Sequence, residues 1–79
     1  MQIIITKTAE KSIKRLNEPI KSKIISGIKK LPFGDIKKLK GYENYYRLRI
    51  GDYRILYMIN DMSLVIVDVL PRGEAYKKI

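Results

Sequence analysis

Three arginines lie close together in the segment YYRLRIGDYRILY, residues 45–57 of a 79-residue chain. Arg47, Arg49 and Arg54 are three of only five arginines in the whole sequence. The dipeptide Gly51-Asp52 between two alternating runs predicts a β-hairpin with a two-residue turn and glycine first. This turn sets Arg49 opposite Arg54 and puts all three guanidiniums on one face of the sheet. Such a group of arginine forks is suited to bind a phosphate or a carboxylate.

The same register divides the other side chains of the hairpin between two faces. One face is apolar, and we expect helices to cover it: Tyr46, Leu48, Ile50, Tyr53, Ile55 and Tyr57. The other, which we call the arginine face, carries the three arginines with Tyr45, Leu56 and Met58. We interpret Leu56 and Met58 as exposed residues that a partner or the C-terminal tail covers in part.

The arginine face contains an unfavourable pair. Like charges directly opposite each other cost stability, and neither strand of the hairpin contains an acid to neutralise them. We therefore predict that the arginine face binds an anion. The alternative is that the arginines are solvated on an open sheet face and only cover apolar neighbours.

Further basic and aromatic residues flank the hairpin. Arg72 and Tyr76 follow the last predicted strand, and they reach the arginine face if that strand lies beside the hairpin. Tyr76 is suited to stack on a base or to exchange a proton, and its alternative role is to anchor the C-terminus. Lys37, Lys38 and Lys40 precede the hairpin and either contact a nucleic-acid backbone or remain solvated.

The composition limits the available chemistry. The chain has neither histidine nor cysteine, which excludes imidazole catalysis, zinc thiolate sites and disulfides. We expect no cofactor, no metal, no membrane association and a cytoplasmic location. With 17 basic and 8 acidic residues the net charge is +9, which favours a polyanionic partner. Residues 1–40 hold 11 of the basic groups and 3 of the acidic ones, so the bulk charge and the arginine cluster are separate features.

Hydrophobic periodicity predicts the elements that position these residues. The β-branched run 2–6 predicts a buried strand, with Thr6 or Thr8 capping the helix that follows. Pro19 separates two helices. Their apolar stripes are Ala9, Ile13 and Leu16 in the first helix, and Ile20, Ile24, Ile28 and Leu31 in the second. Residues 35–42 are predicted to be a basic loop, and strands follow at about 44–50, 53–59 and 64–70.

The predicted fold is a single α+β domain spanning residues 1–79. It has two layers, in which an N-terminal strand and a helical hairpin pack on a mainly antiparallel four-stranded sheet. The element order is β-α-α-β-β-β, followed by a short C-terminal turn or helix.

The segment LKGYENYYRLRIGDYRILYMIND, followed by a hydrophobic strand and PRGEAYK, resembles the RelE/ParE superfamily of bacterial type II toxins. The resemblance covers almost the whole chain and includes the order of the elements. It implies a ribosome-dependent mRNA endoribonuclease that blocks translation by cutting in the ribosomal A site. In that reaction the ribose 2′-hydroxyl attacks the adjacent phosphate and leaves a 2′,3′-cyclic phosphate and a 5′-hydroxyl. The resemblance also implies a cognate antitoxin that wraps and neutralises the toxin.

The resemblance assigns roles by motif position. Arg54 matches the arginine at the scissile phosphate, Arg47 falls where a lysine stabilises charge, and Tyr76 matches a C-terminal tyrosine. Tyr45 stands where the family pattern has a second lysine, which Lys38 or Lys40 would then have to supply. Arg72 lies four residues before Tyr76, whereas the catalytic arginine of the pattern lies six before its tyrosine. The predicted catalytic residues are Arg47, Arg54 and Tyr76, and the predicted substrate-binding residues are Arg49, Arg72, Lys38, Lys40 and Tyr45.

Two other functions stay open at this point. ParE-type members of the superfamily inhibit DNA gyrase without enzymatic activity and generally lack the phosphate-site residues. The arginine trio argues against this function, and the departure at Tyr45 leaves it open. The other alternative is a basic domain whose partner is an acidic antitoxin peptide.

Overall fold

The computed structural model describes residues 2–72, which form two helices and a single sheet. The elements are β1 (Gln2–Ile5), α1 (Lys7–Lys14), α2 (Ile20–Lys29), β2 (Ile36–Lys38), β3 (Tyr45–Ile50), β4 (Tyr53–Asn60) and β5 (Ser63–Pro71). The strand order is β1-β5-β4-β3-β2, with β1 parallel to β5 and the other neighbours antiparallel. The predicted α+β class and element order are confirmed. Neither helix of the described range is long and apolar enough to cross a membrane.

The sheet has five strands in the described range, so the prediction of four is wrong. The extra strand, β2, lies in the segment that the sequence predicts to be a basic loop. It pairs antiparallel with β3, with Ile36 opposite Leu48. Hydrogen bonds extend the pairing on both sides, from Arg49 N to Asp35 O at 2.9 Å and from Leu39 N to Tyr45 O at 2.8 Å. Three residues are too few to show an alternating pattern, and β3 supplies the pairing that the local sequence does not indicate.

The helical hairpin packs its apolar stripes against one face of the sheet. Thr6 caps α1, because its Oγ1 accepts from Ala9 N at 3.1 Å. Pro19 is the residue before α2, as predicted. The buried core between helices and sheet consists of Ala9, Ile13, Ile24, Ile28, Leu48, Ile55, Tyr57, Leu64, Ile66 and Val69. At Gly27 the helix approaches the sheet so closely that a Cβ atom would overlap the side chain of Ile50.

The β3–β4 hairpin has the predicted register in all six pairs, from Ile50 opposite Tyr53 to Tyr45 opposite Met58. Gly51 has a φ of +56°, which favours glycine at the first position of the turn. β5 then pairs along β4, with an irregularity at Leu56 and Tyr57. The predicted division of the hairpin into a helix-covered face and an arginine face is confirmed.

A second, smaller core lies on the arginine face. It consists of Leu39, Leu56 and Leu70, with Tyr45 and Val67 packed against them. The interpretation of Leu56 as an exposed residue is therefore wrong, since only 1% of its surface is exposed. Met58 is exposed, as expected. The sequence did not indicate this core because Leu39 lies in the segment predicted to be a loop.

Candidate anion-binding site

The hairpin holds the three arginines on one face of the sheet but at different depths. Arg49 and Arg54 are cross-strand partners, and Arg47 pairs with Leu56. Arg54 is buried, with 6% of its surface exposed, whereas Arg47 is half-buried and Arg49 is exposed. The guanidiniums of Arg47 and Arg54 are thus largely shielded from water. Burying a charge in this way costs free energy unless the charge is compensated.

The buried guanidiniums are only partly hydrogen-bonded. Arg54 Nη1 donates weakly to Gly51 O at 3.5 Å and to Tyr53 O at 3.3 Å. Arg47 Nη1 donates to Asp35 O at 3.3 Å. The Nε–H groups of Arg47 and Arg54 are buried and have no acceptor among residues 2–72. A buried donor left without an acceptor costs about 1–3 kcal/mol, so the arginine face is short of acceptor oxygens.

Within residues 2–72, two acids lie beside the arginine face, both outside the hairpin. Asp35, which precedes β2, has Oδ1 3.7 Å from Arg47 Nη1, but its side chain is exposed. Such exposed pairs contribute at most about 1 kcal/mol. Asp68 of β5 is buried opposite Leu56. Its Oδ1 accepts from Ser12 Oγ at 2.6 Å and from Val69 N at 2.7 Å.

The lysines of β2 alternate between the two faces of the sheet. Lys37 is opposite Arg47 and therefore shares the arginine face, whereas Lys38 is opposite Tyr46 of the helix-covered face. Lys38 and Lys40 are exposed and line a shallow cavity of about 450 Å³ with Tyr42. Lys37 was expected to contact a nucleic-acid backbone or to remain solvated, and its position on the arginine face was not predicted. Period-2 alternation would have indicated it, had the segment been recognised as a strand.

Tyr45 is a packing residue of the second core. It lies against the leucine cluster, and its ring meets Tyr42 edge to face at a centroid distance of 5.8 Å. Burial raises the pKa of the Tyr45 phenol, and the nearby Asp68 and Tyr42 add to this effect. The side chain therefore stays neutral at pH 7 and does not replace a cation.

The end of β5 brings Arg72 to the hairpin. Leu70 is the cross-strand partner of Arg54, and Arg72 N donates to Asp52 O in the β3–β4 turn at 2.6 Å. The last strand therefore lies beside the hairpin, as predicted, and the Arg72 side chain is exposed near the turn. Tyr76 lies outside the described residues.

The known proteins that are similar to this chain in sequence or in structure are type II toxins or their complexes with antitoxins. Residues 3–76 match the sequence profile of the ParE toxin of the type II toxin–antitoxin system parDE. The chain is 34% identical to the toxin RelE3 of Methanocaldococcus jannaschii, with 96% of each protein covered. It is similar to the crystal structure of the RelB–RelE antitoxin–toxin complex from Methanococcus jannaschii, with a TM-score of 0.80, 33% identity, and coverage of 96% of this chain and 98% of that one. For the archaeal RelE–RelB complex from Pyrococcus horikoshii OT3 the TM-score is 0.77 and the identity 28%, with 91% and 94% covered.

Proposed function

This chain belongs to the ParE toxin family of type II toxin–antitoxin systems, and from that premise we propose that it is a RelE-like endoribonuclease that cuts mRNA on the ribosome. The observation that carries the proposal is the pair of buried Nε–H groups, on Arg47 and Arg54, which lack acceptors among residues 2–72. A backbone phosphate of RNA offers the charge and the oxygens that these two groups need.

The proposed reaction is an internal transfer at phosphorus. The ribose 2′-oxygen attacks the adjacent phosphorus, the bond from phosphorus to the 5′-oxygen breaks, and a 2′,3′-cyclic phosphate and a 5′-hydroxyl result. The proton that leaves the 2′-hydroxyl is balanced by the proton that the 5′-oxygen gains. Negative charge builds on the phosphate oxygens in between, and donors fixed in a site of low dielectric stabilise that charge more than water does.

We assign charge stabilisation to Arg54 and Arg47. An arginine stays protonated and therefore does not act as a general base. On the RelE/ParE resemblance we assign the proton of the 2′-hydroxyl to Tyr76. No metal is required for this reaction, and the described residues contain no acidic cluster suited to hold one.

The more exposed cations are proposed to bind the RNA strand on either side of the reacting phosphate. Arg49 and Lys37 share the arginine face, and Arg72 lies at the hairpin turn. Lys38 and Lys40 offer a separate contact through the loop cavity. Because these contacts are electrostatic, cleavage should weaken as salt is raised.

The partner that we propose is a cognate antitoxin. The two solved structures described above are RelB–RelE complexes, in which a toxin related to this chain is bound to its antitoxin. A chain with a net charge of +9 favours an acidic partner of this kind. Toxin and antitoxin would meet in the cytoplasm, where the ribosomes are.

The test is cleavage of an mRNA in a reconstituted translation system, with the cut sites mapped by primer extension. We expect Arg54→Ala to reduce cleavage by roughly 10²–10³-fold while the protein stays folded. Arg15→Ala is the control, because Arg15 is an exposed arginine at the end of α1 and is not part of the β3–β4 hairpin. Cleavage by Arg54→Ala at the wild-type rate would overturn the proposal.

Inhibition of DNA gyrase is the second candidate. It is favoured by Tyr45, which occupies the position of a lysine in the RelE pattern and stays neutral. The same preparations added to a gyrase supercoiling assay separate the two functions. Loss of supercoiling without loss of mRNA would favour the second candidate.

A further inference from the structure

The segment that joins β2 to β3 surrounds a shallow cavity, which we call the loop cavity. Its lining consists of Lys38, Leu39, Lys40, Gly41, Tyr42 and Glu43. Its volume of about 450 Å³ lies within the range of roughly 300–1,000 Å³ that is typical of small-ligand sites. The loop cavity is therefore large enough to hold a single nucleobase.

The backbone holds this segment in a defined turn. Tyr42 N donates to Leu39 O at 3.3 Å, and Gly41, the third residue of the turn, has a φ of +84°. This φ is typical of a type II turn, where the third position favours glycine. Leu39 is buried in the second core and thereby anchors the first residue of the turn. The position of Tyr42 is thus fixed by the sheet behind it.

The ring of Tyr42 is held in place and is still accessible. It meets the ring of Tyr45 edge to face, with 5.8 Å between the centroids and 69° between the planes. Tyr45 in turn packs against the second core. Tyr42 nevertheless keeps 44% of its surface exposed. An aromatic ring that is supported by the fold and open to solvent is suited to stack on an unpaired RNA base.

The charged residues of the loop cavity complement the other parts of a nucleotide. Lys38 and Lys40 are exposed and are suited to contact phosphates. Glu43 lines the same cavity, and a carboxylate only accepts hydrogen bonds. It would repel an acidic peptide, whereas a base that presents N–H groups would bind to it.

The four RNA bases differ in what they offer to a carboxylate. Guanine has two adjacent donors on its Watson–Crick edge, N1–H and N2–H, which match the two oxygens of Glu43. Adenine and cytosine each offer an amino group beside an acceptor nitrogen. Uracil offers a single N–H between two carbonyl oxygens, which a carboxylate repels. The carboxylate in the loop cavity therefore favours guanine and disfavours uracil.

We propose that the loop cavity binds one base of the RNA substrate, stacked on Tyr42, and selects guanine through Glu43. This assignment rests on the proposed RNA-cleaving function and adds which residues set its base preference. Tyr45 and Arg47 are alternate residues of β3, so they lie about 7 Å apart along the strand. The selected base therefore belongs to a nucleotide near the one whose phosphate Arg47 binds.

Matched variants separate stacking from base selection. Tyr42→Ala removes the ring and Tyr42→Phe keeps it. Phe33→Ala is the control, because Phe33 is an aromatic residue with 77% exposure between α2 and β2 and does not line the loop cavity. Glu43→Gln is compared with Glu10→Gln, since Glu10 is an exposed carboxylate of α1. Circular dichroism melts establish that all five variants fold.

The probes are short 2′-O-methyl oligouridines with either one guanine or none. They lack the 2′-hydroxyl and cannot be cut, and their Kd is measured by fluorescence anisotropy at one fixed salt concentration. We expect the wild-type protein to bind the RNA with guanine roughly 10-fold more tightly than oligouridine. Glu43→Gln should reduce this ratio to about 2-fold or less, and Glu10→Gln should keep it at about 10-fold.

The stacking variants are measured with the same two RNAs. Tyr42→Ala should weaken the binding of both by roughly 5–50-fold, because a stacked base is lost in each case. Tyr42→Phe and Phe33→Ala should remain within about 2-fold of the wild-type protein. A Tyr42→Ala protein that is folded and binds both RNAs as the wild-type protein does would overturn the proposal.

Cut sites mapped in the reconstituted translation system show whether the selected base belongs to the message. The wild-type toxin should cut preferentially beside guanine, and Glu43→Gln should lose this preference. Equal slowing at all sites by Glu43→Gln would overturn selection within the message and place the base in ribosomal RNA.

Two results of the binding assay would also overturn the proposal. One is the absence of tighter binding to the RNA with guanine by the wild-type protein. The other is a preference for guanine that folded Glu43→Gln retains. Guanine-selective binding without cleavage of any message would support the base site and refute the proposed nuclease activity alone.

Discussion

We expect the substitution Arg54→Met to make the fold more stable while it removes the activity. Arg54 is buried, faces Arg49 across the hairpin, and has a buried Nε–H without an acceptor among residues 2–72. Methionine has a similar length and no charge, so it fills the space between the strands without these costs. Under the proposed function, the same change removes the cation that stabilises the reacting phosphate.

The magnitude follows from the contacts of Arg54. Relief of the unsatisfied donor contributes about 1–3 kcal/mol, and relief of the like-charge pair with Arg49 about 0.2–1 kcal/mol. Against this stand the two hydrogen bonds from Nη1, which at 3.3 and 3.5 Å are worth about 0.5 kcal/mol each. The net gain is about 1 kcal/mol, which for a domain of this size raises the Tm by about 4–8 °C.

Thermal melts followed by circular dichroism at pH 7, in the absence of RNA, measure this effect. Leu56→Ala is the control for the sensitivity of the assay, because truncating a fully buried leucine should cost about 2–5 kcal/mol. Arg54→Lys keeps the charge and should not gain stability. If Arg54→Met instead lowers the Tm by several degrees, the guanidinium is held by a structural partner such as Asp68. Such a result would refute an acceptor-poor anion site on the arginine face.

Three further predictions concern the surroundings of the site and the core. The substitution Asp35→Asn removes the exposed ion pair with Arg47 and should change the Tm by less than about 4 °C. It should increase cleavage by roughly 2–5-fold, because the Arg47 guanidinium becomes free to bind phosphate. Equal or slower cleavage would contradict this. Burial, with Tyr46 nearby, raises the pKa of Tyr57 to about 12 from 10, so the stability that this group confers is complete below pH 10 and is lost as the pH rises toward 12. Tyr57→Phe should flatten the decline of Tm in that window, and an unchanged slope would refute the assignment. Gly27→Val should lower the free energy of unfolding, measured in urea, by about 1–3 kcal/mol, since the valine side chain would overlap Ile50. Unchanged stability would show that Ile50 moves aside freely.

The hairpin could be predicted in detail because its register depends on local chemistry alone. Glycine at the first turn position fixes the pairing, and alternation then assigns every side chain to a face. Thr6 and Pro19 marked helix boundaries for similarly local reasons. The RelE/ParE resemblance rests on the same stretch of sequence and is confirmed by the family match.

What the sequence did not indicate depends on contacts between distant segments. β2 is a strand because β3 offers it a free edge, and with β2 come Leu39 of the second core and Lys37 on the arginine face. The burial of Arg54 also depends on tertiary structure, because β5 pairs beside β4 and places Leu70 next to Arg54. The prediction of a buried strand is wrong at β1, because this run of isoleucines forms an exposed edge of the sheet in residues 2–72.

The pairing of β1 with β5 determines when the protein can be completed during its own synthesis. Gln2 lies opposite Ser63 and Ile5 opposite Ile66, so among the strands of residues 2–72 β1 has no neighbour until β5 has been made. Contacts between residues so far apart in the chain also form slowly. Leu70, which pairs with Arg54, belongs to the same late strand. A nascent chain that stops before β5 therefore leaves β1 without its partner strand and the arginine face without Leu70, so the sheet is assembled only once β5 has been translated.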